Sequence, residues 1–484
     1  TFMFWLDQTR ENNNKDPNNS NKNNKGKYIK NIKFNSFITN EEALILERLR
    51  EKFDLNLLND EAFKFQNFLK IFSEFSGLSS YNADYESLKN SDFIISAGSF
   101  LRHESPVTSY KLNNALKMNK ASGIYFHHIA DEVAKKFSKN FACVSYEAGD
   151  LEQILLFVLK NWGENLPVAL QARVEKFEES FGLEVATLSE GKAKFTLILG
   201  SDFYAHENAN LLAALAGVIA RATPFRVMLI PPRTNSLGVA KICTLSREKK
   251  PGKTLGYNEM GEFKFSIFDG DLDAGALNQQ EGTFTSINNE VVPTNAALAH
   301  NGYFLNDIAN ALNIAAKNTI DYTAQLPKEK GYRGVKFDDL ENFYANDGTS
   351  HRGYKLEISN FTPKDDVEPL FKEQNELNLK EDEALISLAN PINLPSFFAN
   401  YASQTAKRAK LYASSEFMAK FEISQNEAVI LEKNGQKLAI CVELDSELGG
   451  VAAYLGDYDD KLDVSAIFES NCYANVKIIK AENE

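Results

Sequence analysis

The sequence predicts an α/β protein built on parallel sheets, with a β-rich domain towards its C-terminal end. Two segments, residues 93–127 and 195–230, each follow the pattern strand, helix, strand. This order forms a βαβ unit, in which the two strands run parallel. A third segment, residues 427–444, alternates around an Asn-Gly pair, which is typical of a β-hairpin.

In the first unit, we expect a strand at 93–97, a helix over about 104–118 and a second strand at 123–127. Gly98 and Ser99 follow the first strand, and a polar stretch then leads into the helix. A strand that turns into a helix N-terminus is a usual place for a phosphate to bind, because backbone N–H groups point outwards there. This turn is therefore the first candidate site.

The second unit repeats the first, with a strand at 195–199, a helix over about 207–221 and a strand at 226–230. Gly200 and Ser201 repeat the Gly-Ser pair that follows the first strand of the other unit. The shared letters indicate a weak internal repeat. They predict two related, doubly wound halves.

Neither glycine turn carries a nucleotide-binding fingerprint, which needs the spacing G-x-G-x-x-G. In the first turn, Phe100 and His103 stand at the second and third glycine positions. In the second turn, Asp202 would repel a phosphate. Glu104 and Glu207, at the starts of the two helices, complement the helix dipoles without a ligand. We therefore expect both turns to be empty, with these residues as vestigial candidates only: Gly98, Ser99, Gly200 and Ser201.

The bulk composition excludes several classes of protein. The chain has 484 residues, a net charge of −13 and four widely spaced cysteines. Its length predicts two to four domains. Its acidity argues against a nucleic-acid partner. The cysteines have no iron–sulfur or zinc spacing and indicate a reducing compartment. No apolar run approaches the roughly 20 residues of a membrane span.

The N-terminal part combines a low-complexity insert with two predicted helices. Eight of the thirteen residues 12–24 are Asn, a composition that cannot bury a core. Thr39 and Glu42 predict a capping box at the start of a helix. An aromatic stripe over residues 61–75 predicts a second helix that packs into a core.

His127 and His128 close the second strand of the first unit. Two adjacent imidazoles can bind a metal only with further ligands, and the sequence places no third ligand or cysteine beside them. We therefore expect a structural role for this pair, and we expect no metal site in the chain.

The segment 276–312 carries a family resemblance. It contains QEGTFT, then an Asn-x-Glu before two valines, and then DIANAL. It resembles the large G subunit of respiratory complex I, the 75 kDa subunit of other lineages. The segments DFIISAGSFLRHESPV and PPRTNSLGV are similar to elements of the same family. Residues 411–455 resemble the C-terminal barrel of the molybdopterin oxidoreductases, to which that subunit is related.

The resemblance covers most of the chain from about residue 37, and it implies a fold. That fold is molybdopterin-oxidoreductase-like, with two Rossmann-like parallel-sheet domains and a C-terminal double-psi β-barrel. The segments are assigned as follows: 1–36, an N-terminal segment with the Asn-rich insert; 37–148 and 240–345, a first α/β region that allows for interleaving; 149–239, a second Rossmann-like domain; 346–403, an irregular connection; and 404–484, the barrel.

The resemblance also implies a function. This chain would be the scaffold half of the G subunit, itself without cofactors, and iron–sulfur clusters would lie in an N-terminal half that this chain lacks. The whole complex passes electrons from NADH, or from a flavodoxin or ferredoxin donor, to quinone. The expected partners are other subunits of the peripheral arm, on the cytoplasmic inner face of a bacterial cell membrane. Within the EGTF element, the vestigial candidates are Glu281, Gly282 and Thr283.

A second interpretation is a catalytic molybdopterin-dependent oxidoreductase domain, similar to a formate dehydrogenase. Two departures from that family count against it. The first turn reads Gly98–Ser99–Phe100–Leu101, where the enzymes have G-x-N-P, and no cysteine precedes Cys143. The sequence therefore favours a chain with no catalytic, cofactor-binding or metal site of its own.

Overall fold

The structure is a computed structural model that describes residues 28–146, 151–178, 181–183, 185–314, 316–372, 383–389, 408–456, 459, 462, 464–468 and 472–480. The Asn-rich segment 12–24 lies outside these residues. The chain divides into two compact units. Unit 1 contains residues 1–67 and 231–359, and unit 2 contains residues 68–230 and 360–484. Among the described helices, none is long and apolar enough to cross a membrane.

The α-helices are α1 (Asn40–Phe53), α2 (Asp60–Ser76), α3 (Tyr85–Lys89), α4 (Leu101–Glu104), α5 (Pro106–Met118), α6 (Leu151–Trp162), α7 (Val168–Lys176), α8 (Val185–Ser189), α9 (Ser201–Tyr204), α10 (Ala209–Ala222), α11 (Ser236–Ile242), α12 (Leu305–Ala311), α13 (Glu368–Lys372), α14 (Ser415–Lys420) and α15 (Ser465–Phe468).

The strands are β1 (Ile29–Phe34), β2 (Asn56–Leu58), β3 (Phe93–Ala97), β4 (Ser122–Phe126), β5 (Ala130–Asp131), β6 (Phe141–Val144), β7 (Phe195–Leu199), β8 (Phe225–Leu229), β9 (Lys253–Tyr257), β10 (Phe263–Ser266), β11 (Leu272–Asp273), β12 (Gly282–Thr285), β13 (Glu290–Thr294), β14 (Asn342–Tyr344), β15 (Ser350–Arg352), β16 (Tyr354–Lys355), β17 (Ala384–Ala389), β18 (Leu411–Ala413), β19 (Ala428–Lys433), β20 (Gln436–Leu444), β21 (Leu448–Gly449), β22 (Ala453–Gly456) and β23 (Tyr473–Lys480).

Unit 1 contains a parallel sheet of order β11-β10-β9-β1-β2. Helix α1 packs on this sheet and starts with the predicted capping box. The N–H of Glu42 donates to Thr39 Oγ1, and the N–H of Thr39 donates to Glu42 Oε2 at 2.7 Å. The EGTF element forms the antiparallel pair β12–β13, which places Gly282 opposite Thr294. The predicted capping box is therefore confirmed.

Unit 2 contains a parallel sheet of order β6-β4-β3-β7-β8. Strands β3 and β7 begin and end at the predicted residues. However, both βαβ units belong to this one sheet, whereas the sequence analysis placed a domain boundary between them at 148–149. The reason lies in β3, which is buried at all five positions. A strand buried on both faces needs a neighbour at each edge, and β4 and β7 supply them.

The helix predicted over 104–118 is divided into α4 and α5 at Ser105. Pro106 follows Ser105, and a residue that precedes proline rarely adopts the helical backbone conformation. Ser105 accordingly has φ −144° and ψ 70°. In the second unit, the helix predicted over about 207–221 is observed as α10, and the short helix α9 precedes it.

The C-terminal part of unit 2 is a closed barrel of order β17-β22-β18-β20-β19-β23. It contains both parallel and antiparallel neighbours. The hairpin β19–β20 turns at Asn434 and Gly435, with φ 51° and 80°, which confirms the predicted turn. The barrel begins at Ala384, inside the segment predicted as an irregular connection, because β17 pairs with both β22 and β23 to close it.

Candidate functional site

The candidate site lies in unit 2, at the carboxyl ends of β3, β4 and β7. The strand order reverses between β3 and β7, and in open α/β sheets ligands bind outside the strand ends at such a switch point. The turns that follow these two strands carry the predicted candidates Gly98, Ser99, Gly200 and Ser201. The sheet therefore brings all four of them together.

The two turns pack directly against each other. A Cβ on Gly200 would lie 2.2 Å from Cβ of Ser99 and 2.3 Å from the carbonyl oxygen of Gly98. The N–H of Asp202 donates to that same oxygen at 3.0 Å. Gly98 has φ 66°, and a Cβ there would meet the ring of Phe203 at 2.6 Å. Here the glycines allow backbone to meet backbone, where a nucleotide fold would use them to admit a pyrophosphate.

Glu104 occupies the anion position of the first turn. Its Oε2 accepts from the N–H of Phe100 at 3.1 Å and from Ser99 Oγ at 2.8 Å. These donors are the groups that a phosphate at this turn would use. Burial, together with the negative charge of Asp202, raises the pKa of Glu104 to about 7. The protein thus supplies its own carboxylate where a ligand anion would bind.

The side chains of two histidines and one tyrosine surround the carboxylate of Asp202. Its Oδ2 lies 3.8 Å from His127 Nε2 and 3.5 Å from His128 Nδ1. The hydroxyl of Tyr146 donates to the same oxygen at 3.3 Å. The two histidine side chains and Asp202 are only 3–4% exposed, so the cluster lies in a low-dielectric interior.

The electrostatics of this cluster follow from its burial. Burial, with the neighbouring charge of His128, lowers the pKa of His127 to about 3, so His127 is neutral at physiological pH. Burial alone would raise the pKa of Asp202. The contacts with His128, His127 and Tyr146 outweigh it and hold that pKa below its usual value. Asp202 is therefore an ionised carboxylate beside a neutral His127.

Aromatic side chains and barrel residues fill the space beside this cluster. The ring of Phe100 stacks on His127 at 5.4 Å and packs edge-on to Tyr454 of β22 at 5.5 Å. Arg102 forms ion pairs with carboxylates from β5 and from the segment after β20, namely Asp131, Asp445 and Glu447. The side chain of Phe100 thus lies where a bound cofactor would need bare backbone.

The EGTF candidates lie in unit 1 and form a separate, buried network. Glu41, at the start of α1, accepts from the N–H and Oγ1 of Thr283 at 2.7 and 2.8 Å, and from Thr323 Oγ1 at 2.7 Å. A Cβ on Gly282 would meet Cγ2 of Thr39 at 2.6 Å. Glu281 is exposed. Gly282 and Thr283 therefore join the β12 strand to the helix start.

The Asn-x-x-Gly loop contributes to the same network. Asn235 donates to the carbonyl of Ile38 at 2.9 Å and accepts from the N–H of Thr285 at 2.7 Å. A Cβ on Gly238 would lie 2.1 Å from Oδ1 of Asn40. These motif residues hold segments of unit 1 together.

The grouping of Asp202 with His127 and His128 was not predicted from the sequence. Their ligand atoms all lie within 4.8 Å of one another, so the third ligand that the sequence did not show comes from the turn after β7. A signal existed, because all three residues lie at or shortly after the carboxyl ends of predicted parallel strands. The separation of the two βαβ units into different domains concealed it.

Comparisons with known proteins show the fold. No protein-family model matches the sequence, and no curated protein matches it. Among solved structures, acetylene hydratase from Pelobacter acetylenicus is similar, with a TM-score of 0.59 and 9% sequence identity, over 93% of this chain and 86% of that chain. The chain therefore has a molybdopterin-oxidoreductase-like fold, with parallel α/β sheets and a closed barrel, which confirms the predicted fold class.

The residues at the switch point do not fit a pterin dinucleotide. The two turns are in contact, Glu104 holds the donors of the first turn, and Asp202 adds a second buried carboxylate. A pyrophosphate would have to displace a packed backbone joint and face negative charge.

Proposed function

We propose that this chain is the cofactor-free scaffold half of the G subunit of respiratory complex I. The observation that carries the proposal is the position of Glu104, whose carboxylate takes the N–H of Phe100 that an anionic cofactor would need. The closed joint between Gly98 and Gly200 supports the same conclusion. The chain keeps the fold of a cofactor-binding ancestor and uses the old site as a packing joint.

In this proposal, the chain itself is catalytically silent. The whole complex transfers electrons from NADH, or from a flavodoxin or ferredoxin donor, to quinone, by way of clusters held outside this chain. The scaffold binds the cluster-bearing half of the subunit and other peripheral-arm subunits. Its place is then the cytoplasmic face of the membrane, within the complex.

The second candidate function is a molybdopterin-dependent oxidoreductase domain similar to a formate dehydrogenase. The shared fold favours it, because catalytic members are built on the same sheets and barrel. The packing of the turns and the carboxylates at the switch point count against it. The two functions differ in what the purified chain binds and in what it reduces.

The proposal is tested by association. The tagged chain is expressed together with the cluster-bearing half of the subunit, and the two are expected to co-purify in equal amounts. A membrane extract from cells that carry the tag should yield the remaining subunits of the complex. A chain that purifies alone and reduces a dye with formate would overturn the proposal in favour of the enzyme.

A further inference from the structure

We propose that His127, His128 and Asp202 form a structural site for a redox-inert divalent cation of the zinc class. Two imidazole nitrogens and one carboxylate oxygen form a donor set that suits Zn²⁺. All three side chains are buried in unit 2, at the carboxyl ends of β4 and β7. This site goes beyond the proposed scaffold role, and it is contrary to the expectation from the sequence that the chain has no metal site.

The separations suit a small cation. Zn–N and Zn–O bonds of about 2.0–2.2 Å place neighbouring ligands of a tetrahedral site roughly 3.3–3.6 Å apart. The Asp202 oxygen lies 3.5 Å from His128 Nδ1 and 3.8 Å from His127 Nε2. All the ligand atoms lie within 4.8 Å of one another. Small side-chain rotations would bring the three atoms onto one ion.

Each ring has a partner on its other nitrogen. His127 Nδ1 lies 3.2 Å from both the carbonyl oxygen and the backbone N–H of Ile129, so it donates to the oxygen in one tautomer and accepts from the N–H in the other. His128 Nε2 contacts Ser387 Oγ of β17. In the tautomers that carry the proton on these outer nitrogens, both remaining lone pairs face the Asp202 carboxylate. Metal-ligating histidines are generally held by such a hydrogen bond from the outer nitrogen, which fixes the tautomer.

The arrangement leaves one nitrogen without a partner. His128 Nδ1 is buried, its side chain is only 4% exposed, and it has no hydrogen-bond partner among the described residues closer than the Asp202 oxygen at 3.5 Å. A buried polar atom left unpaired is costly, and a lone pair that faces a carboxylate adds repulsion. A cation between the nitrogen and the oxygen would remove both costs.

The alternative to a metal ion between the histidine nitrogens and Asp202 is a proton. With a proton on the inner nitrogen of either ring, that ring would donate to Asp202 without a metal. The 3.5 Å contact of His128 is long for a charge-assisted hydrogen bond, which lies near 2.7–2.9 Å. The two occupants are separated by measuring metal binding directly.

The experiment uses the whole chain after chelator treatment and dialysis. Titration with Co²⁺ should produce the visible bands of a tetrahedral nitrogen–oxygen site at one equivalent, and Zn²⁺ should abolish them. Elemental analysis of the Zn²⁺-treated chain should give one zinc per chain. Asp202→Asn and His128→Gln should each weaken Co²⁺ binding by more than tenfold. Ser387→Ala, which removes only the outer partner, should weaken it roughly 10–100-fold.

The control is His300→Gln. His300 packs on Phe304 in unit 1, whereas the three ligands belong to unit 2, so its replacement should leave binding unchanged. Ser387→Ala keeps all three ligands and serves as a second test if Asp202→Asn fails to fold. Absence of a tetrahedral Co²⁺ spectrum would overturn the proposal. Binding that survives Asp202→Asn, His128→Gln and Ser387→Ala in folded protein would do the same.

Discussion

Replacement of Gly200 by alanine tests the joint between the two glycine turns. The new Cβ would lie 2.2 Å from Cβ of Ser99 and 2.3 Å from the Gly98 carbonyl oxygen. Both positions are more than 1 Å closer than ordinary contact, and neither neighbour is the end of a flexible side chain. The φ of Gly200 is −101°, so the expected effect is steric. Overpacking of this kind costs about 1–3 kcal/mol, and the backbone contact points to about 3 kcal/mol.

For a unit as large as unit 2, about 3 kcal/mol corresponds to a fall in Tm of roughly 5 °C. Differential scanning calorimetry of the Gly200→Ala chain should show this shift. Gly334→Ala is the matched control, because its nearest atoms are the Cε and Nζ of Lys328, which can move away. We expect a change below about 1 °C for the control. A Gly200→Ala chain as stable as the control would refute the contact between the turns.

Three further predictions concern charge, the barrel and the N-terminal insert. Burial raises the pKa of Glu104 to about 7 from 4.5, so the stability given by its neutral form is complete below about pH 4.5 and is lost as the pH rises through 7. Glu104→Gln should therefore flatten the Tm profile of the chelator-treated chain over this range, and an unchanged slope would contradict the assignment. Asn434→Ala should lower the stability of the barrel by about 1 kcal/mol in urea unfolding, because φ is 51° there; no change would argue against the turn geometry. Deletion of residues 12–24 should leave Tm nearly unchanged, since that segment carries no apolar anchor, and a large drop would show that it contributes to a core.

Local chemistry made much of the fold predictable. Strand β3 begins and ends where its apolar run does, and the capping box at Thr39 contains both of its hydrogen bonds within four residues. The turn at Asn434 and Gly435 depends on a conformational preference of two residues. These features are encoded by neighbours in sequence, so a single sequence reveals them.

The sequence alone does not reveal which distant strands pair with each other. Nothing in the letters of β3 and β7 shows that Phe93 pairs with Phe195 in one sheet, because both strands are uniformly buried and lack a polar face to fix their neighbours. For the same reason, the third member of the histidine cluster was missed. Asp202 was interpreted as a residue that repels phosphate, and its contact with His128 depends on the sheet order.

The packing of unit 2 explains why the switch point carries no nucleotide-binding motif. Its glycines serve a backbone contact, and Glu104 accepts from the N–H of Phe100 in the first turn. Phe100 and His103 stand where a dinucleotide fingerprint has glycine, and the structure shows the ring of Phe100 packed on His127 and Tyr454.

The most direct test of the scaffold account is the molybdenum, tungsten and pterin content of the purified chain. The chain is produced in cells supplied with molybdate, tungstate and iron, then assayed by elemental analysis and by the fluorescence of oxidised pterin. The account predicts far less than one molybdenum, tungsten or pterin per chain, whatever the zinc content. One equivalent of molybdenum or tungsten together with pterin would contradict it, because the joint between Gly98 and Gly200 would then have to open around a cofactor.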